Sequence, residues 1–162
     1  MQELDFAYKL RANELIYLGQ PRQIRNDCQI GQWKAGASKM LGDEMIIQPI
    51  AAIRLEGRLF NYPHQVWIHL AFVDPEGFIC TTLLKKESMD NFFEIHRESL
   101  KLNKPLWSLK LKASLSQRAN PEGKHYAVVF KIEGEGQWTE QIQAFLENRP
   151  PNLLAVPVKE DE

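Results

Sequence analysis

Aromatic and basic side chains interleave in two stretches of this chain. The first, "LFNYPHQVWIH", brings Phe60, Tyr62 and His64 close to Trp67 and His69; the second, "RANPEGKH", carries Arg118, Lys124 and His125. Rings set among cations suit a flexible polyanion with stackable bases. Each base–ring contact is worth about 1–3 kcal/mol, while Lys and Arg track the phosphates. Arg54, Arg58, Lys110 and Lys112 fall on the polar side of alternating segments and extend the same cationic set. Each of these residues also has a purely structural reading. Trp67 can be covered by residues 1–43 or by the last helix, Phe60 and Tyr62 can plug a barrel end, and the Lys and Arg residues can be a solvated strand face.

Other chemistries fit less well. "GQWKAGASK" has Ala37 and Ser38 after Gly36, where a phosphate loop needs Lys next to its second glycine. His64 and His69 have the wrong spacing to share a strand face, and neither lies near Cys28 or Cys80, so no zinc set forms. Asp74 and Glu76 lie in "DPEG", a turn in which Asp is expected for backbone bonding. No nucleophile with a base is evident, so the sequence assigns no catalytic residue, metal or cofactor, and the expectation is a protein that is not an enzyme.

Net charge is −1, which argues against coating nucleic acid with the whole surface. Its distribution is uneven: residues 1–84 carry 8 basic and 9 acidic side chains, residues 85–131 carry 10 and 5, and residues 132–162 carry 2 and 7. The N-terminus lacks the pattern of a signal peptide, and no stretch reaches the roughly 20 apolar residues of a membrane helix. Two cysteines without a framework suit a reducing compartment, so a cytoplasmic protein is expected, with a Cys28–Cys80 disulfide as a minor alternative.

The elements that must position the rings and cations follow from periodicity. "EMIIQPIAAIRLEGRLF" reads as a long first strand, bent where Pro49 cannot donate and where Gly57 weakens the ladder. "VWIHLAFV" alternates, with Val66, Ile68, Leu70 and Phe72 inward and Trp67, His69, Ala71 and Val73 toward water; "DPEG" then turns the chain into "FICTTLLK". A helix follows, capped by Ser88, with Met89, Phe92, Phe93, Ile95 and Leu100 on its apolar face and "NKP" at its end. "WSLKLKASLSQ" and "HYAVVFKIE" complete the strands, and a last helix spans about 138–148. Before residue 44, "ELIYLG" and "CQIGQWK" are candidate short strands, "FAYKLRANELIYL" reads equally as a helix, and 36–43 reads as a loop. The tail 150–162, with three prolines and an acidic end, is expected to be extended and mobile.

Strand, strand, strand, helix, strand, strand over about 44–133 resembles the OB-fold, a five-stranded Greek-key barrel that binds oligonucleotides on its second and third strands and on two of its loops. The acidic end Glu160, Asp161 and Glu162 is similar to that of single-stranded DNA-binding proteins of this fold, although the chain lacks their Gly/Gln-rich linker and terminal Pro-Phe pair. The expectation is one mainly β domain over 1–149, an OB-like barrel with an N-terminal extension and a C-terminal helix. It would bind single-stranded DNA, or RNA, through Arg54, Arg58, Phe60, Tyr62, Trp67, His69, Lys110, Lys112, Arg118 and Lys124. The alternative is a protein-interaction or homo-oligomerisation module using the same aromatic surface, with the tail as a second docking segment. A small-molecule barrel ranks third.

Overall fold

From Glu44 onward the strands form where alternation predicts them. The computed structural model describes residues 14–17, 19–36, 39–59, 62–120, 123–148 and 153–154. Its elements are β1 (Arg22–Asp27), β2 (Gln32–Ala35), β3 (Lys39–Gly42), β4 (Glu44–Gly57), β5 (Gln65–Val73), β6 (Ile79–Lys85), α1 (Lys86–Lys101), a 3-10 turn (Leu106–Ser108), β7 (Leu109–Asn120), β8 (Gly123–Glu135) and α2 (Thr139–Glu147). All eight strands join one curled sheet in the order β3-β2-β1-β6-β5-β4-β7-β8. Among the strand pairs of the described residues only β1–β6 is parallel.

This corrects the expected five-stranded OB-like barrel. The five expected strands lie side by side as β6-β5-β4-β7-β8, and closing them would require β6 to pair with β8. Instead β1 takes the free edge of β6, with Arg22 opposite Cys80, and the β1–β2–β3 meander extends the sheet into an open half-barrel. "KMLG" is a strand rather than part of a loop, whereas the described residues of "ELIYLG" contribute an isolated bridge from Ile16 to Phe78.

The curl begins in β4. Its first residues, Glu44–Ile47, pair with β7, and Gln48–Gly57 pair with β5, with a register shift beside Pro49. A residue without an N–H at the changeover lets one strand serve two ladders in different directions. At the β5–β6 hairpin Gly77 N–H donates to Asp74 O at 3.0 Å and Asp74 N–H to Phe78 O at 3.0 Å, with Gly77 at φ +94°, as in a type I turn closed by a glycine bulge.

Both faces of the sheet are covered. On one, Ile68, Leu70, Phe72, Leu109, Leu111 and Val128 pack with Phe92 and Ile95 of α1; on the other, Ala71, Val73 and Ile79 pack with Trp138 at the start of α2, with Ile142 within it and with Leu153. Of the inward positions expected for β5, Ile68, Leu70 and Phe72 therefore hold. The expectation that Trp67, His69, Ala71 and Val73 face water does not hold, because all four are buried: Ala71 and Val73 pack with α2 and Leu153, His69 meets Leu154 O, and Trp67 lies against Tyr62. Leu153 is buried and Leu154 half-buried; the rest of the expected mobile tail lies outside the described residues.

Helix α1 buries Ser88, Phe92, Ile95 and Ser99, a spacing that draws one stripe along a helix, and leaves Phe93 and Leu100 exposed. It starts two residues before Ser88, whose hydroxyl accepts the Val128 N–H at 2.8 Å instead of capping. Its end is a Schellman motif with Asn103 at φ +57° and Lys104 N–H donating to Ser99 O at 3.1 Å.

Candidate functional site

The strand β6 runs into α1 without a loop, and the joint carries Lys85 and Lys86. Lys86 sits at φ +52°, a conformation that costs a non-glycine residue roughly 1–2 kcal/mol. Three hydrogen bonds fix what surrounds this joint. Ser88 and Asn91 grip Val128 on β8, the Asn91 Nδ2 donating to Val128 O at 2.9 Å; Tyr126 N–H donates to Cys28 O at 2.8 Å and fastens β8 to the turn after β1. The result is a cleft of about 350 Å³ between β8, the turn after β1 and the β6–α1 joint. Cys28, Tyr62, Lys85, Lys86, Glu87, Lys124, His125 and Tyr126 line it.

The rings are held from behind. Tyr62 meets Trp67 edge-on, centroids 5.4 Å apart and planes at 72°, and Lys85 Nζ lies 4.6 Å from the Tyr62 ring centroid. Trp67 itself is 2% exposed and its indole N–H donates to Gly57 O at 3.4 Å, so it supports Tyr62 and offers no surface of its own. Tyr126 lies over Gly31, where a Cβ would come within 2.6 Å of the ring; only glycine lets the two segments approach so closely.

Electrostatics favour an anion. Three lysines face the cleft against one carboxylate, Glu87, and that carboxylate is engaged by Arg118 Nε at 2.6 Å and lies 4.0 Å from His125 Nε2. Burial lowers the pKa of Lys85, with like charge from Lys86 adding to the effect; a bound anion would relieve both costs. Burial also pushes the Cys28 thiol up, which keeps it protonated at neutral pH.

The residues expected from the sequence divide into four groups. Tyr62 and Lys124 line the cleft, and Arg118 braces its edge through Glu87. Arg54, Arg58, Lys110 and Lys112 do not line it: Arg54 is exposed beside Glu56 on β4, Arg58 follows that strand, and Lys112 stands opposite Lys131 on β7–β8. Phe60 lies outside the described residues.

Trp67 and His69 are corrections, since both are buried. His69 is 4% exposed and its Nδ1 donates to Leu154 O at 2.8 Å, with burial lowering its pKa. Of the aromatic surface shared with the expected interaction module, Trp67 is buried while Tyr62 opens on the cleft.

Sequence reasoning missed Lys85, Lys86 and the outward part of Tyr126. The signal was present as two adjacent lysines exactly between a strand pattern and a helix pattern, a position where the chain cannot place both on one solvated face. Cys28 and Cys80 are unbonded thiols. Among the described residues no helix is long and apolar enough to cross a membrane. The chain matches no family model, no curated protein and no solved structure.

Proposed function

We propose that the cleft binds single-stranded nucleic acid with little sequence preference. The observation that carries this reading is the convergence of Lys85, Lys86 and Lys124 with Tyr62 and Tyr126 around one opening. Half-buried rings offer faces to unstacked bases, and lysines provide point charges for phosphate without reading base edges. A duplex keeps its bases stacked inside and cannot use the rings.

Anisotropy of a labelled oligonucleotide tests the proposal. Three lysine–phosphate contacts predict that log K falls against log salt with a slope of about −2, using about 0.7 per contact for single strands. Lys85→Ala and Tyr62→Ala are each expected to weaken binding by about ten-fold, within the range of one stacked base or one displaced cation. Equal affinity for duplex and single strand, or wild-type affinity in both variants, would remove the reading.

A further inference from the structure

The strand β4 is interior for only part of its length. Its ladder with β7 ends at Ile47, while its ladder with β5 continues to Gly57. Among the described residues, Ala52–Glu56 therefore has no strand on its second side. Ile53 is 40% exposed there, and the side chains of Arg54 and Glu56 are 62% and 51% exposed. An open edge is a template for another strand, and proteins usually blunt it with proline, a bulge or like charges. This one instead carries opposite charges two residues apart on one face, with Ile53 and Leu55 on the other.

We propose that a second copy of this chain pairs antiparallel along this edge, with the two-fold axis at Leu55. The register follows from geometry. An axis perpendicular to the sheet keeps each side chain on its own face, so it must pass through a residue and not between two. Centred on Arg54 it stacks Arg54 against its own copy, and centred on Glu56 it does the same for the glutamates. Only the axis at Leu55 sets Arg54 opposite Glu56 of the second copy, twice by symmetry, and brings the two Leu55 side chains together. Cross-strand opposite charges stabilise such pairs and like charges oppose them. The pairing is short, so the dimer is weak and emerges as concentration rises.

Sedimentation of the full chain across a concentration series reads the outcome directly. The mass is expected to move from monomer toward dimer. Arg54→Glu and Glu56→Arg each create two like-charge contacts and are expected to raise the dimer dissociation constant by about ten-fold or more. An equimolar mixture of the two variants restores every pair as a heterodimer, so dimer should return in the mixture. Wild-type chain that stays monomeric throughout would overturn the proposal. So would a dimer indifferent to both reversals, or a mixture of folded variants that remains monomeric. Both sites are exposed, and circular dichroism confirms that each variant is folded before the mixture is read.

Discussion

Two regions of this molecule place aromatic, histidine and amide groups together, and they differ in what lies above them. On the α2 side, His69, Gln48 and Trp138 are sealed: Gln48 donates to Trp107 O at 2.9 Å and to Thr139 Oγ1 at 3.0 Å, and accepts the Trp138 N–H at 2.9 Å. At the β6–α1 joint, Tyr62, Lys85 and Tyr126 have neighbours behind them and an opening in front. Similar chemistry thus serves cohesion in one place and contact in the other. The difference lies in covering elements, and those come from parts of the chain far away in sequence.

Substitutions can break this contrast. The largest effect is expected for Trp67→Ala, a buried indole whose loss should cost about 3–5 kcal/mol of stability, read as a lower urea midpoint. Unchanged stability with lost oligonucleotide binding would place Trp67 on the open side after all. Next, Gln48→Leu leaves the Trp107 carbonyl and the Trp138 N–H without their buried partner and should cost about 2–3 kcal/mol, with affinity for single strands retained. Lys86→Gly tests the open side, because it removes both a cation and a left-handed non-glycine residue. Stability should rise by about 1 kcal/mol while affinity falls, and a variant that loses both would show that the backbone there is not strained.

The smallest effect concerns pH. Burial holds the pKa of His69 below its ordinary value of 6.5. Above that value His69 is neutral in folded and unfolded chains alike. As pH falls below it the unfolded chain takes up the proton first, so stability is lost progressively until pH passes the folded pKa. In His69→Gln, whose amide can still donate to Leu154 O, urea midpoints at about pH 7.5 and 5.5 should differ less than in the parent chain. An identical drop would assign the acid sensitivity elsewhere.

Much of the sheet was legible because β4, β7 and β8 carry alternation and β5–β6 share a turn whose residues specify it. The strand order was not, since β1 reaches β6 through a parallel pairing that leaves no mark on local periodicity. Nor does "KMLG" alternate long enough to announce β3. The sidedness of β5 misled for a related reason. A strand covered on both faces reads as a nearly continuous apolar run, and "VWIHLAFV" is one, with His69 as its single polar member. At the cleft, Tyr62 and Lys124 were legible as ring and cation in expected loops. Lys85 was hidden because a lysine ending a strand is ordinarily a solvated residue, and only the direct passage into α1 turns it inward.

The parallel β1–β6 pairing also bears on the order in which the chain can fold. Arg22 leaves the ribosome well before Cys80, its partner across the ladder, yet β1 has no edge to join until β5 and β6 have formed their hairpin. The meander made first is therefore placed last, and the non-local closure slows folding. Amides of β1–β3 are expected to be the last in the sheet to gain protection during refolding, as pulsed hydrogen exchange would read.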